Sequence, residues 1–192
     1  KRFYHGYSYY GFNDNYVALL FSRFTKEGYG AIIVPNDILK HSNAACSQQS
    51  IVMMELLQKK GMKTRKVGFQ GKKNGGHFCF EVLYNGEWHF YDPNMEPDAA
   101  LLNAHGRPEI ASLVKNKDLL LQAYRQYPQD EILDIFPTYF YGRVNEFPAP
   151  TGIVFQKASR FMSEFMWIFC LAGFLLLRIK YRKFNSSQSY VR

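Results

Sequence analysis

Three residues of the chain have side chains suited to nucleophilic chemistry: Cys46, His77 and Asp92. A cysteine in the first turn of a helix gains thiolate character from the helix dipole and from free backbone N–H groups. A histidine can move a proton to and from such a nucleophile, and a carboxylate can hold the imidazole in one tautomer and orientation. The three residues therefore predict acyl-transfer chemistry, provided that the fold brings them together.

A predicted β-hairpin brings His77 and Asp92 together. Asn85-Gly86 is a strong signal for a two-residue type I′ turn between strands over residues 76–84 and 87–91. With these two residues as the turn, the numbers of opposed residues add to 171. Side chains alternate along strands, so His77 and Asp92 become diagonal neighbours on one face, about 7 Å apart or less between β-carbons.

A helix is predicted to begin at Cys46. Ser42 or Asn43 can cap it, apolar residues recur at helical spacing behind the cysteine, and Gly61 follows Lys59-Lys60 as a stop signal. If this helix packs on the face of the hairpin that carries His77, the thiol meets the imidazole. A further strand is predicted over residues 63–69, so the pattern is α+β, a helix followed by an antiparallel sheet.

Other residues near this group have less specific predictions. The N–H groups at Cys46 and the next residue are predicted to form part of an oxyanion hole, and Gln48 and Asn43 are possible side-chain donors. Trp88, on the His77 face of the hairpin, is a further candidate for substrate contact. Cys79 lies on the same face. Three roles are open for it: a disulfide with Cys46, metal binding, and filling of the core. Core filling is favoured.

The chain resembles the transglutaminase-like domain of the papain-like thiol enzymes. Two stretches carry the resemblance, PNDILKHSNAACSQQSIVMMELLQKKGMKTRKVGF from residue 35 and GGHFCFEVLYNGEWHFYDPN from residue 75. The positions that match the family pattern are Cys46, Gly61, Arg65, His77, Glu81, Trp88, Asp92 and Pro93. The resemblance implies a papain-like core, a Cys46–His77–Asp92 triad and acyl transfer from amide or ester carbonyls. No metal or organic cofactor is expected.

The composition bears on partners. The chain of 192 residues has a formal charge of +8, but residues 178–192 hold five Lys or Arg and no acid. The remaining 177 residues therefore carry only +3, from 19 basic and 16 acidic residues. The second basic stretch, residues 59–73, lacks the interleaved aromatics of nucleic-acid modules, so no nucleic-acid partner is expected. The expected substrate is a peptide, a protein or another amide-bearing molecule.

A transmembrane helix is predicted over residues 161–181. Its centre, residues 165–177, contains no charge, Trp167 and Tyr181 suit the membrane interface, and Arg178 and Lys180 can snorkel. The positive-inside rule places the basic tail, residues 182–192, in the cytoplasm and residues 1 to about 155 on the other side of the bilayer.

The predicted organisation has five parts. These are an aromatic segment and helix (1–34), a transglutaminase-like catalytic domain with a helical extension (35–133), a Pro- and aromatic-bearing connector (134–160), the membrane helix and the tail. The favoured function is a membrane-anchored thiol hydrolase or acyltransferase. One alternative is a catalytically silent transglutaminase-like domain that serves as an interaction subunit of a membrane assembly. A weaker alternative is a soluble enzyme whose C-terminal helix binds a partner.

Overall fold

The structure is a computed structural model that describes residues 2–24 and 30–189, with side chains as far as residue 183. Its contacts divide the chain into two compact units, one of residues 1–9 and 31–153 and one of residues 10–30 and 154–192. The first unit is α+β. Its elements are α2 (Pro35–Ile38), α3 (Cys46–Lys59), β1 (Lys63–Gln70), β2 (Gly76–Tyr84), β3 (Glu87–Tyr91), α4 (Ala99–Ala104), α5 (Ile110–Lys115), α6 (Lys117–Ala123), α7 (Gln129–Ile135) and β4 (Tyr139–Tyr141).

The four strands form one antiparallel sheet in the order β3-β2-β1-β4. The predicted hairpin register is confirmed, since Phe80 pairs with Tyr91 and Tyr84 pairs with Glu87. Asn85 and Gly86 have φ angles of 51° and 82°, which is the left-handed geometry that a type I′ turn requires. The turn chemistry of two residues therefore fixed the pairing of both strands.

The two faces of the sheet are covered by different helices. Val67, Phe69, Cys79 and Phe90 point into the main core, which helices α4 to α7 complete. Phe80 and Val82 point to the other face, where Met54 of α3 packs on them. Because Cys79 and Phe80 are neighbours in β2, the alternation of side chains assigns the two cores to opposite faces.

The segment predicted as a connector, residues 134–160, has secondary structure of its own. It contains the end of α7, the strand β4 and the first residues of the C-terminal helix. β4 forms the edge of the sheet beside β1, and Phe140 lies opposite Gly68. A β-carbon on Gly68 would lie 2.3 Å from the Phe140 ring, so the glycine makes room for this aromatic strand.

The second unit contains α1 (Phe12–Phe24) and most of α8 (Pro150–Ser189). The helix α1 has a kink at Asn15 (φ −162°, ψ 78°). The C-terminal helix is longer than the predicted 161–181, and the described part of the basic tail continues it. Residues 150–183 of α8 are long and apolar enough to cross a membrane.

Candidate functional site

Cys46 is the first residue of α3, as predicted. Ala45 occupies the N-cap position with extended backbone and no side-chain hydrogen bond to the helix. The first N–H groups of a helix have no intrahelical acceptor, and an alanine at the N-cap provides none. The half-buried thiol therefore lies at a helix end whose positive partial charge no capping side chain offsets.

The side chains of Cys46 and His77 lie close enough to interact electrostatically, although α3 packs on the other face of the sheet from the imidazole. The helix does not cover the face of the hairpin that carries His77. His77 is only the second residue of β2, so the start of α3 reaches it around the end of the strand. The hydroxyl of Ser50 donates to the carbonyl oxygen of Phe78 at 3.1 Å and fixes the helix against that strand end.

Asp92 holds the other side of the imidazole. Its Oδ2 lies 2.7 Å from Nε2 of His77, and both residues are buried. The backbone N–H groups of Asn94 and Met95 donate to its Oδ1, each at 3.0 Å, so the carboxylate is fixed immediately after β3. The predicted proximity of His77 and Asp92 is confirmed, and Asp92 is hydrogen-bonded on both oxygens.

Tyr124 completes the hydrogen bonding of Asp92 and was missed by the sequence analysis. This fully buried residue follows α6 directly, and its hydroxyl donates to Oδ2 at 3.0 Å. Burial, together with the nearby Asp92 carboxylate, raises the pKa of the Tyr124 hydroxyl well above its ordinary value, so it remains a donor. No short-range pattern marks Tyr124, because it reaches Asp92 only when α6 packs on the sheet.

Aromatic rings enclose His77. The Phe69 ring stacks on the imidazole with centroids 5.9 Å apart, and the Phe136 ring lies 6.2 Å away at a tilt of 57°. Neither ring was singled out in the sequence. Both rings pack against the imidazole that contacts Asp92.

The electrostatics of the site shift the pKa of the Cys46 thiol downward and that of the His77 imidazole upward. Burial alone would raise the pKa of the Cys46 thiol, but the hydrogen bond and positive charge of His77, with the N–H groups of Phe78 and Ser47, bring it below its ordinary value. Burial alone would lower the pKa of His77, but its interactions with the neighbouring Cys79 and Asp92 raise it instead. The pKa of Asp92 is lowered, since the charge and hydrogen bond of His77 outweigh its burial.

Cys79 lies in the core beneath this group, fully buried. Ligand atoms of His77, Cys79 and Asp92 lie within 4.8 Å of one another, a grouping that has the composition of a metal site. However, Nε2 of His77 and Oδ2 of Asp92 bond to each other, and burial raises the pKa of the Cys79 thiol well above its ordinary value. In this geometry the His77 and Asp92 atoms bond to each other, and Cys46, Cys79 and Cys170 form no disulfide.

Gln48, Asn43 and Trp88, the three additional site candidates, make structural contacts of their own. Gln48 is buried and structural, because its amide donates to the carbonyl oxygens of Ser8 (3.0 Å) and Ile32 (2.7 Å) and its Oε1 accepts from the N–H of Ala45 (3.1 Å). Asn43 is exposed, and its Oδ1 accepts from the adjacent Ser42. The first-turn backbone N–H groups of α3, which have no intrahelical acceptor, remain as hydrogen-bond donors at the helix end that carries the thiol.

Trp88 lies at the turn end of the hairpin, opposite Leu83. Four residues of strand, about 13 Å, separate it from Asp92. The guanidinium of Arg65 is sandwiched between the rings of Trp88 (4.3 Å) and Tyr141 (3.9 Å). Trp88 is thus part of a structural cluster and lies away from the thiol.

The same cluster contains Arg65 and Glu81, two further positions that match the pattern given in the sequence analysis. Arg65 binds Oε2 of the fully buried Glu81 through Nε (2.7 Å) and Nη2 (2.6 Å), and Oε1 accepts from the N–H of Ile110 at the start of α5 (2.7 Å). This ion pair joins β1, β2 and α5. Its role in the structure is to fix the sheet that carries His77.

The loop before His77 is also anchored. Asp134, near the end of α7, accepts hydrogen bonds from three successive backbone N–H groups, those of Lys72, Lys73 and Asn74, at 2.9 to 3.0 Å. These bonds lower the pKa of the exposed Asp134 carboxyl. The turn that leads into β2, and hence into His77, is therefore held from the helical layer.

Comparison with known proteins returned no matching family model, no similar curated protein and no similar solved structure. The transglutaminase-like resemblance and the papain-like description of the core therefore stay predictions.

Proposed function

We propose that this protein is a thiol-dependent hydrolase or acyltransferase that acts on amide or ester carbonyls. The observation that carries the proposal is the continuous line from Cys46 through His77 to the buried Asp92. The nucleophile interacts electrostatically with the base, and Nε2 of the base lies 2.7 Å from Oδ2 of its orienting carboxylate. Nucleophile, base and orienter in hydrogen-bond reach are the general requirements for this chemistry.

The proposed reaction proceeds through a thioester. The Cys46 thiolate attacks the carbonyl carbon and forms a C–S bond, and backbone N–H groups at the start of α3 stabilise the oxyanion. Protonated His77 gives its proton to the leaving amine or alkoxide as the bond to the carbonyl carbon breaks. Water or an amine then attacks the thioester, His77 accepts the proton of that nucleophile, and the C–S bond breaks to restore the thiolate.

The uncapped start of α3 supports this role. Replacement of a capping Ser, Thr, Asn or Asp by alanine typically costs about 1 kcal/mol. The chain has Ala45 at this position, which keeps the first N–H groups of the helix available beside Cys46. A side-chain cap would compete with both the thiolate and the oxyanion for these donors.

A groove along α3, lined mainly by apolar side chains and by Arg2 and Glu96, is a candidate for the acyl group. It has a volume of about 170 Å³, and its walls include Gln49, Met53 and Leu56 of α3 and Pro93, which follows Asp92. Residues 46, 49, 53 and 56 fall on one helical stripe, so the groove runs along the side of α3 that carries Cys46. We assign the acyl portion of the substrate to it.

We further propose that α8 anchors the enzyme in a membrane as a single span, centred on residues 161–181. The proposed orientation places the basic residues after the span in the cytoplasm and the catalytic unit on the opposite side, according to the positive-inside rule.

The proposal is tested by the pH dependence of iodoacetamide alkylation, measured residue by residue by mass spectrometry on the full chain in nanodiscs. For wild type we expect rapid labelling of Cys46 below pH 7, because its thiol pKa is lowered. His77→Gln should slow that labelling by about tenfold or more, since one pKa unit changes the thiolate fraction tenfold. His105→Gln, which changes an exposed histidine of α4's C-terminus, is the matched control and should label like wild type.

Labelling of Cys79 in the same samples reports on folding, because the folded protein buries this thiol completely. Slow labelling of Cys46 that rises only above pH 8 and is unchanged by His77→Gln, with Cys79 still protected, contradicts an activated thiol. That result favours the alternative of a transglutaminase-like interaction subunit. If Cys46 is labelled rapidly, the next experiment is a substrate screen with amide and ester donors, with and without an added amine acceptor.

A further inference from the structure

The contact between α1 and α8 is polar. Asn15 is fully buried at the kink of α1, and its Nδ2 donates to Oγ of Ser159 (2.9 Å) and to the carbonyl oxygen of Gln156 (3.3 Å). Its Oδ1 accepts from Oγ of Ser163 at 3.0 Å, and the N–H of Val17 donates to the same Ser163 oxygen at 3.1 Å. Small and polar side chains therefore join the two helices.

The outward side of α1 is apolar. Leu20 is 50% exposed, Phe21 45% and Phe24 87%. Leu20 and Phe24 are four residues apart and share one helix face, while the fully buried Ala18 lies about 200° from Leu20 around the helix axis. Phe21 flanks the contact, with its ring 4.9 Å from that of Phe155.

This arrangement is the reverse of what a helix pair in water adopts. A surface helix of a water-soluble protein buries its apolar stripe and exposes its polar one. In a bilayer, small and hydrogen-bonding residues join helices, while apolar residues face lipid. The α1–α8 pair has the arrangement expected in a bilayer, with polar side chains between the helices and apolar side chains facing outward.

The position of the contact along α8 fits this reading. Residues 155–163 make the contact, and the uncharged run of residues 165–177 begins two residues, about 3 Å of helix rise, after Ser163. Residues 16–24 of α1 extend only about 13 Å, less than half of the roughly 30 Å hydrocarbon thickness. The helix α1 is therefore placed at the edge of the bilayer and is too short to cross it.

We propose that α1 is an interfacial membrane helix that inserts Leu20, Phe21 and Phe24 into the acyl-chain boundary of a phospholipid bilayer. Arg23, in its last turn, is placed to reach the headgroups. The inference rests on the membrane span of the proposed function and is independent of the proposed thiol chemistry. Its consequence is that the protein has a second membrane contact, beside the span, on the side where α8 begins.

The test measures the depth of a fluorescent NBD label on single cysteines. The background is the full chain with Cys46→Ser and Cys170→Ala, in which buried Cys79 stays unlabelled. Phe24→Cys reports on the proposed contact. Asn13→Cys, an exposed polar position at the other end of α1, is the water control, and Phe174→Cys, 60% exposed within the uncharged run, is the span control. The samples are nanodiscs of phosphatidylcholine and phosphatidylglycerol, with iodide as aqueous quencher and doxyl-labelled lipids as membrane quencher.

We expect the label on Phe24→Cys to be quenched severalfold less by iodide than that on Asn13→Cys, and to be quenched by shallow doxyl lipids. Equal iodide quenching at both positions, with Phe174→Cys still in lipid, overturns the inference and leaves the span intact. Protection from iodide without doxyl quenching places Phe24 against protein, such as a second copy of the chain, and also overturns it. If Phe174→Cys is accessible to iodide, the span and the inference fall together, whatever the reactivity of Cys46.

Discussion

Tyr124→Phe removes one hydroxyl group from the support of the proposed triad and leaves the ring in place. That hydroxyl donates to Oδ2 of Asp92 at 3.0 Å, the same oxygen that His77 contacts. A hydrogen bond to a charged group contributes about 1.5–3 kcal/mol, so we expect the free energy of unfolding to fall by that amount. For a chain of this size that corresponds to a lower Tm by about 3–12 °C.

The variant should also change the chemistry of the site. With one donor fewer, the pKa of Asp92 rises and its hold on the His77 imidazolium weakens. We expect slower alkylation of Cys46 near neutral pH. Part of the rate should be recovered at higher pH, where the thiol ionises without stabilisation by the His77 imidazolium. Thermal unfolding and site-resolved alkylation on the same preparations measure the two effects.

Tyr127→Phe is the matched control. Its ring lies 6.5 Å from that of Tyr124, and no hydrogen bond from its hydroxyl is observed within the described part of the chain. We expect this variant to unfold and to label like wild type. If Tyr124→Phe behaves like Tyr127→Phe in both assays, the hydroxyl does not support Asp92, and the argument for a built orienting site is refuted.

Three further changes test other parts of the structure. Ala45→Ser adds a cap to α3, so we expect about 0.5–2 kcal/mol more stability by denaturant unfolding but slower alkylation of Cys46, because the hydroxyl competes for first-turn N–H groups. Gln48→Ala removes four hydrogen bonds to the backbone and leaves the N–H groups of Ser8 and Ala45 and the carbonyl of Ile32 without that partner, so we expect a loss of roughly 2–4 kcal/mol in the same assay. Arg65→Met leaves the buried Glu81 carboxylate without its charge partner, at an expected cost of about 3–5 kcal/mol.

Each of these changes has an outcome that contradicts its premise. Unchanged reactivity in a stabilised Ala45→Ser protein would mean that free N–H groups at the helix start do not activate the thiol. If the Gln48→Ala protein keeps its stability and only the alkylation of Cys46 becomes slower, Gln48 acts directly at the site as a hydrogen-bond donor. A loss below about 1 kcal/mol in Arg65→Met would indicate that Glu81 takes up a proton readily, as its raised pKa, caused first by burial, allows.

The proposed triad also predicts how stability depends on pH. Because the pKa of Asp92 is lowered in the folded protein, its stabilising contribution is present above its ordinary pKa of 3.8 and is lost as the pH falls through the lowered value. The raised pKa of His77 contributes stability that is present below its ordinary pKa of 6.5 and is lost only as the pH rises through the raised value. We expect Asp92→Asn to lower Tm at pH 7 and to flatten its fall in acid, as measured by thermal unfolding across pH.

The sequence by itself determined those features that depend on neighbouring residues. The Asn85-Gly86 turn fixed the register of β2 and β3, because only left-handed backbone geometry closes such a hairpin, and the register placed His77 near Asp92. Helix signals placed Cys46 at the start of α3. The long uncharged run marked a helix able to cross a membrane, since that property depends on composition and length alone.

Only the tertiary structure decided how these parts meet. Sequence periodicity gives each strand two faces but does not say which face a helix covers, and α3 took the face opposite to His77. Tyr124 and β4 come from distant segments and contribute only after the helical layer and the sheet edge have packed. Gln48 looked like an oxyanion donor in the sequence, and the fold instead uses its amide to satisfy buried backbone groups. Short-range geometry therefore set the chemistry of the candidate site, and long-range packing set its support, because hydrogen bonds between distant segments leave no local pattern.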